Sequence, residues 1–203
     1  SDSLAPGGVK SICEDSRGRL WLGHIGGGVS IIEDNIIRRA SFSPSVFIGV
    51  DSARINDPLR PVISLTGDVT GITEYDGSIW VSTSLGGALR LDMPERGVSL
   101  MTGQQYVGRQ GLSNDAFGLY ADHRENLYCI TDMGIKKYDH ASDRFVPFNP
   151  EGLTRYFLTT TIFEDSRGNM WFGTFNGGLY RQDGVTGEMG FFDTRNGLWG
   201  NFV

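Results

Sequence analysis

The chain repeats a short motif, and this repetition constrains its fold more than any other feature does. The segment 12–23 reads ICEDSRGRLWLG and returns almost letter for letter at 162–173 as IFEDSRGNMWFG. Two weaker copies, at 72–80 and 119–128, keep an acidic residue six positions before an aromatic one. The four acidic–aromatic pairs are Asp15 and Trp21, Glu74 and Trp80, Asp122 and Tyr128, and Asp165 and Trp171. A repeat of this kind predicts an array of similar small structural units.

The composition fits a folded all-β domain and limits the classes of partner. The 203 residues are 39% hydrophobic and 21% charged, and the chain is long enough to bury a sizeable core. The 29 glycines indicate many tight turns between short strands. A formal net charge of −6 argues against nucleic acid or an anionic membrane as a partner. The sequence shows neither an apolar run long enough for a membrane span nor a leader pattern, so we expect any targeting segment to lie outside these residues.

Each unit is predicted to contain four strands, called A to D in chain order. Strand A ends at the acidic residue and strand B carries the aromatic one. Gly18, Gly77 and Gly168 fall where a short A–B hairpin needs a left-handed residue. Glu125 stands at that place in the third unit and predicts a slightly altered hairpin there. Strand D tolerates proline, which places it at the edge of the sheet.

The repeat predicts a β-propeller built of four-stranded antiparallel blades. Gly-Leu pairs open successive units at intervals typical of one such blade. The predicted units cover 8–40, 68–102, 111–149 and 152–193, an irregular insertion covers about 41–66, and 197–203 opens a further unit. We therefore expect an incomplete arc of four blades plus the start of a fifth. Because unpaired strand edges invite pairing, such an arc is expected either to self-associate or to be a weakly stable fragment.

The loops predict a binding face. In an antiparallel meander the B–C turns and the D–A segments emerge on the same side, and their residues vary inside a constant glycine frame. Exposed aromatic rings beside amides and carboxylates suit a sugar, with Phe175 and Trp199 as stacking candidates. Two other readings stay open: these are unconstrained loop residues, and Trp199 packs between blades. The candidate ligand-binding residues are His24, Ser84, Asp132, Phe175, Asn176, Asn114, Asp115, Trp199 and Asn201.

No pattern in the sequence predicts a catalytic residue, a metal site or a cofactor. The recurrent acidic residues precede hairpins and are expected to accept turn N–H groups rather than bind calcium. His24, His123 and His140 fall in different units without metal-ligand spacing. The recurrent aromatic residues are predicted to lie in the core, and Cys13 and Cys129 are predicted to behave as small buried hydrophobes.

The motifs resemble the two-component regulator propeller repeat, whose pattern is an apolar strand, Glu-Asp, a glycine turn, Leu-Trp-Ile-Gly-Thr, Gly-Gly-Leu and Arg-x-Asp. Residues 162–183 match it almost without gaps, and 12–34 match except that His24 replaces the usual Thr. The second and third units match loosely. The resemblance implies the extracytoplasmic sensor part of a membrane-bound histidine kinase, often a hybrid regulator of polysaccharide use in Bacteroidetes-like gut bacteria.

These observations lead to the expectation of a non-catalytic, periplasmic ligand-sensing module of a two-component sensor histidine kinase that detects a carbohydrate fragment. By resemblance, the kinase activity belongs to a parent chain outside these residues. The expected partners are an oligosaccharide, a neighbouring propeller or domain of the parent chain, and a second copy meeting the open blade edges. A protein-interaction scaffold is an alternative and predicts a broad, flat apolar patch. A propeller lyase or glycoside hydrolase is a second alternative and requires paired carboxylates in one cleft, for example Asp115 and Asp132.

Overall fold

The structure is a computed structural model and describes residues 4–5, 7–42, 65, 67–98, 100–153 and 158–203. Over these residues it forms four four-stranded antiparallel sheets, called blades 1 to 4, and one two-stranded parallel sheet. The predicted all-β arc of four blades is confirmed. Most of the predicted insertion at 41–66 lies outside the described residues.

The strands of each blade follow one another in the chain. Blade 1 contains β1 (Val9–Glu14), β2 (Leu20–His24), β3 (Val29–Glu33) and β4 (Ile36–Arg39). Blade 2 contains β6 (Val69–Tyr75), β7 (Ser78–Thr83), β8 (Gly87–Asp92) and β10 (Gly103–Tyr106). Blade 3 contains β11 (Ala116–Ala121), β12 (Leu127–Thr131), β13 (Gly134–Asp139) and β14 (Arg144–Pro147). Blade 4 contains β15 (Thr159–Glu164), β16 (Met170–Thr174), β17 (Gly178–Gln182) and β18 (Met189–Phe192).

Blade 2 departs from this simple order at its outer edge. Strand β5 (Ser41–Phe42) pairs in parallel with β9 (Leu100–Met101), so β10 becomes the fourth strand of the blade. Phe42 and Met101 are fully buried in the core shared by blades 1 and 2. This small sheet therefore ties the outer edges of the two blades together.

The first strands of successive blades pack side by side, in the order β1, β6, β11 and β15. Each of these strands carries a bulge near its beginning. Hydroxyl groups near the bulges donate to the carbonyl of the next segment along the arc. The three bonds run from Ser11 Oγ to Val69 O, from Thr70 Oγ1 to Ala116 O, and from Thr160 Oγ1 to Val203 O. Val203 thus lies beside blade 4 as Val69 lies beside blade 1.

The recurrent aromatic residues form the core of the blades, as their spacing predicts. Trp21, Trp80 and Tyr128 are 0%, 1% and 5% exposed. Trp171 is only half-buried and stacks on Phe192, because it lies on the outer side of the last blade. The thiols of Cys13 and Cys129 are free, and burial raises the pKa of both.

The two end blades each leave one apolar face uncovered by the described residues. Ile12 of β1 is 63% exposed, whereas its counterparts Ile72 and Ile162 are 7% and 6% exposed because a preceding blade covers them. At the other end of the arc, Phe163 of β15 is 58% exposed. The described residues contain no helix long and apolar enough to cross a membrane.

Candidate functional site

Hydrogen bonds between blades define two faces of the arc. The B–C face carries the turns between second and third strands together with the segments that lead into the next blade. The two sets meet through bonds from Ser84 N to Asp68 O, Gly87 N to Asn114 O, Phe175 N to Leu158 O, and Gly178 N to Asn201 O. The A–B face carries the hairpins between first and second strands. The sequence prediction places its candidate ligand residues on the B–C face.

His24 is a correction to that prediction, because it is fully buried rather than presented on the face. Its Nδ1 lies 3.3 Å from the carbonyl of Gly7, and its Nε2 lies 2.9 Å from Ser30 Oγ. Ser30 Oγ in turn accepts the N–H of Ala5. These contacts are satisfied if Nδ1–H donates to Gly7 and Ser30 O–H donates to Nε2. His24 therefore helps to anchor Ala5 and Gly7 to blade 1, and its ring is not presented on the face.

Ser84 is half-buried and has a structural partner. Its Oγ accepts the N–H of Asp68 at 2.9 Å, and Asp68 also accepts Gly26 N–H and Lys10 Nζ. The Gly26 N–H and the Lys10 ammonium lower the pKa of the Asp68 carboxyl. Asp68 therefore organises the turns of blades 1 and 2, and the sequence prediction missed it because it lies outside the repeated motif.

The candidates of blade 3 meet around one hydroxyl group. Ser113 Oγ donates to the carboxylate of Asp132 at 2.6 Å and lies 3.3 Å from the backbone carbonyl of Asp115. Asp132 is exposed, and so is Asn114, whose carbonyl accepts the N–H of Gly87. The contact of Asp132 is with Ser113, and no bond joins it to the Asp115 carboxylate.

The candidates of blade 4 form an exposed aromatic group. Phe175 is 49% exposed, and its ring lies 5.0 Å from that of Phe202, which is 63% exposed. Asn176 is exposed beside Phe175 and has a left-handed backbone, with φ of 62°. The Asn201 side chain accepts Thr194 N–H. Trp199 is fully exposed at 104% and packs against none of the described blades.

One large apolar side chain per blade is exposed in the B–C turns. These residues are Ile25 at 51%, Leu85 at 61%, Met133 at 75% and Phe175 at 49% exposure. Exposed apolar residues are ordinary one at a time, and here one recurs at the matching turn of each blade. This set is called the apolar row below.

The A–B face is built on the recurrent carboxylates, which have the predicted structural role in three blades. Asp165 accepts the backbone N–H of Arg167 and Asn169, the Asn169 side-chain amide, and Trp171 Nε1 at 2.9 Å. The Asn169 amide and the Trp171 indole are the main groups that lower the pKa of Asp165. Asp15 and Asp122 accept equivalent bonds from their own hairpins. Their carboxylates hold the hairpin and the core aromatic residue together.

Blade 2 breaks this pattern, and the sequence assignment of Glu74 to it is wrong. Glu74 pairs with Ile79 and matches Glu14 and Glu164, so Tyr75 stands where the other blades have aspartate. The hairpin is one residue shorter. Glu74 reaches across to blade 1 and accepts the backbone N–H and the hydroxyl of Ser16. Among the described residues, the buried Nε1 of Trp80 has no hydrogen-bond partner.

The altered hairpin therefore lies in blade 2 and not in blade 3. Glu125 adopts a left-handed φ of 59°, like Gly18 at 75°, and keeps the same closing bond, from Asp122 N to Asn126 O at 3.0 Å. In blade 2, the two-residue turn has positive φ at both Asp76 and Gly77, which is typical of a type I′ hairpin.

A cleft of about 530 Å³ opens on the A–B side between blades 3 and 4, and the sequence prediction did not anticipate it. Its walls come from the blade 3 hairpin, from the segment after β14, and from the turn after β17. The lining includes Tyr128, Lys137, Phe148, Met170, Gln182 and Asp183. A more open depression of about 740 Å³ adjoins it at the inner hairpins, where Glu164 accepts His123 N–H at 3.0 Å.

One residue difference distinguishes the hairpin at this cleft from the equivalent hairpin of blade 1. At the junction of blades 1 and 2, the 3% exposed Arg19 reaches across to Pro94 O at 3.0 Å and Met93 Sδ at 2.7 Å. Asn126 occupies the equivalent place in blade 3, and its shorter side chain bonds Asp122 within its own hairpin at 2.8 Å. Arg124 crosses to Gly184 O at 3.0 Å, and His123 N–H donates to Glu164. The space that Arg19 fills at the first junction is therefore left open at the third.

The repeated hairpins match a known family. The model of the two component regulator propeller matches residues 3–26 and 153–176, which cover the first and last hairpin regions. These two segments match the two-component regulator propeller repeat. None of the curated protein sequences matches the chain.

Solved propellers share the fold of this repeat array. The extracellular domain of the hybrid two component system BT3049 from B. thetaiotaomicron is 19% identical, with 95% of this chain and 25% of that chain covered and a TM-score of 0.66. PorZ, a bacterial surface component of the type-IX secretion system of Porphyromonas gingivalis, is also 19% identical, with 96% and 28% covered and a TM-score of 0.64. The WD40 propeller domain of Doa1 is 14% identical, with 97% and 57% covered and a TM-score of 0.58.

At these identities the likeness shows the β-propeller fold. The chain spans about a quarter of the length of the BT3049 and PorZ chains that it matches. The Doa1 match shows that the same architecture occurs outside two-component systems. Function must therefore be argued from the site itself.

Proposed function

We propose that this propeller is the ligand-sensing part of the extracytoplasmic region of a two-component sensor histidine kinase, and that it detects a carbohydrate fragment without catalysis. The matched repeats and the extracellular domains with the same fold support the sensor role. The proposed periplasmic location has the same basis. A sensor of this kind responds when a ligand favours one arrangement of packed domains over another. The neighbouring propeller or domain of the parent chain is the proposed recipient of that signal.

The observation that carries the carbohydrate proposal is the aromatic group of blade 4. Phe175 and Trp199 are exposed on the B–C face, and Asn176 is exposed beside Phe175. A sugar ring offers an apolar face for stacking and hydroxyls that need donors and acceptors. Asn114, Asp132 and the half-buried Asp115 add polar groups to the same face at blade 3.

The test is calorimetric titration of the chain with a panel of oligosaccharides, repeated with Trp199→Ala and Phe175→Ala. Because Trp199 is fully exposed, its truncation should leave stability unchanged, so a loss of heat would report a lost contact. Leu85→Ala is a matched control, since it shortens an exposed side chain on the same face but in blade 2. Binding that survives both aromatic substitutions would refute this site.

Protein docking is a second candidate function, and the apolar row favours it. Ile25, Leu85, Met133 and Phe175 come from four blades and are each about half exposed or more. A scaffold would use the whole row, whereas a sugar site would use the blade 4 end. Substituting Leu85 and Met133 by Ser should therefore abolish a protein complex and leave sugar binding unchanged.

A further inference from the structure

We propose that the cleft between blades 3 and 4 is a second carbohydrate site of this propeller, and that it takes a short neutral oligosaccharide. The inference rests on the proposed carbohydrate-sensing function but assigns a different surface, on the side opposite the B–C face. A volume of about 530 Å³ lies within the range of small-molecule pockets, roughly 300–1,000 Å³.

Lys137 gives the cleft an unused hydrogen-bond donor. It pairs with Tyr128 in β13, at the position that the buried Ile31 occupies opposite Trp21 in blade 1. No carboxylate or other polar group of the described residues lies within bonding distance of its ammonium group. Blades 2 and 4 also carry a cation at this position, Arg90 and Arg181, and Arg90 donates to Gln104 Oε1 at 3.3 Å. The half-buried Lys137 has no such protein partner among the described residues, so its ammonium group can donate to a ligand oxygen.

Aromatic and polar groups line the cleft around Lys137. The ring of Phe148 is half-buried and lies 4.9 Å from that of Tyr128, which forms the wall behind it. Asp183 Oδ1 accepts the N–H of Val185 and Thr186, whereas its Oδ2 is 4.0 Å from Arg181, beyond hydrogen-bonding distance. The cleft thus presents an apolar ring face, an ammonium donor and a carboxylate, which together suit a ring that bears hydroxyls.

The charge of the lining selects a neutral ligand. Three carboxylates, Asp122, Glu164 and Asp183, face two cations, Arg124 and Lys137. The four acceptor positions of Asp122 are already used by its own hairpin. Because the excess charge is negative, an acidic sugar would be repelled, and a neutral one would not.

The equivalent junction of blades 1 and 2 supplies the experimental design. Asn126→Arg should let a guanidinium pair with Asp122 and cross the cleft, as Arg19 does from Asp15. Lys137→Ile installs the residue that blade 1 has at this place. Both substitutions introduce the residue that blade 1 has at the equivalent position, so we expect both variants to fold with urea midpoints close to that of the parent chain.

The measurement is calorimetric titration with cellotriose, maltotriose and xylotriose, with trigalacturonate as an anionic comparison. We expect a neutral trisaccharide to bind more tightly than trigalacturonate, and Asn126→Arg and Lys137→Ile each to weaken it by about tenfold or more. Trp199→Ala should leave this affinity unchanged. If Asn126→Arg does not fold, Lys137→Ile and Phe148→Ala carry the test.

The outcomes separate this inference from the function on which it rests. Binding that persists in Asn126→Arg and Lys137→Ile but is lost in Trp199→Ala overturns the cleft and leaves the sensing proposal standing. No binding of any trisaccharide to the parent chain overturns both. Tighter binding of trigalacturonate than of the neutral sugars overturns the charge argument and with it the assigned ligand class.

Discussion

Replacing Trp21 by Phe should destabilise the chain far more than replacing Trp80 by Phe. The two indoles occupy equivalent core positions and are 0% and 1% exposed. Each also lies under an arginine, at 5.5 Å for Arg19 and 5.9 Å for Arg90. The loss of ring volume is therefore matched at the two sites, and the difference between the variants reports the indole N–H.

The N–H groups of the two indoles differ in their partners. Trp21 Nε1 donates to the buried carboxylate of Asp15 at 2.8 Å, whereas Trp80 Nε1 has no partner among the described residues. A hydrogen bond to a charged group contributes about 1.5–3 kcal/mol, and an unsatisfied buried donor costs about 1–3 kcal/mol. Trp21→Phe loses the hydrogen bond to Asp15, while Trp80→Phe removes an unsatisfied buried N–H and its cost in stability. We therefore expect the free energies of unfolding of the two variants to differ by about 3 kcal/mol.

The assay is urea denaturation at pH 7 followed by circular dichroism, because the substitutions alter tryptophan fluorescence directly. Trp171→Phe supplies an intermediate case, since its indole bonds Asp165 at 2.9 Å but the side chain is half-exposed. Equal destabilisation by Trp21→Phe and Trp80→Phe would show that the indole hydrogen bonds do not distinguish the blades. It would also refute the account in which the shortened hairpin of blade 2 leaves the Trp80 N–H unpaired.

Three further predictions follow from the blade contacts. Glu74→Ala should lower the free energy of unfolding by about 2 kcal/mol, because it removes charge-assisted bonds to Ser16. It should also speed hydrogen exchange at the Ser16 amide, and unchanged exchange would contradict this prediction. The depressed pKa of Asp165 gives stability that is complete above about pH 4 and lost as the pH falls below it, so Asp165→Asn should flatten the dependence of the urea midpoint on pH between 4 and 2.5. Light scattering should find self-association through the uncovered Ile12 and Phe163, and Ile12→Glu should give monomers; an unchanged mass would refute that contact.

The repeat was sufficient to predict the four-bladed arc and the role of its turn carboxylates. A carboxylate six residues before a buried indole can reach its N–H across a five-residue hairpin, as Asp15 and Asp165 do. The same count misassigned Glu74, because a hairpin shortened by one residue keeps the spacing while it moves the acidic residue into the strand. Aligning the blades by their strand pairing shows that Glu74 matches Glu14, which the sequence spacing alone does not show.

The candidate site was less predictable, for a different physical reason. His24 stands in a loop-like position, but whether it faces solvent depends on Ala5 and Gly7 packing over it, which no local pattern encodes. Asp68 has no counterpart in the repeated motif, and Lys137 stands at the Arg position of the Arg-x-Asp element, where a basic residue is expected and attracts no notice. The sequence allowed Trp199 to be either an exposed stacking residue or a residue packed between blades, and no pattern decided between the two.

Differences between the blades give this propeller its individual chemistry. At the junction of blades 1 and 2, Arg19 bonds Asp15 and crosses to Pro94, so the junction is closed. Asn126 stands at the equivalent place in blade 3 and bonds only within its own hairpin, Lys137 has no protein partner among the described residues, and the indole N–H of Trp80 is unpaired among them. The indole of Trp80 is buried against the rings of Tyr106 and Tyr138, so its unpaired N–H only lowers the stability of the chain. Asn126 and Lys137 line the same solvent-accessible cleft, so a ligand bound there, as we propose, would contact blades 3 and 4 together and could change how the two blades pack.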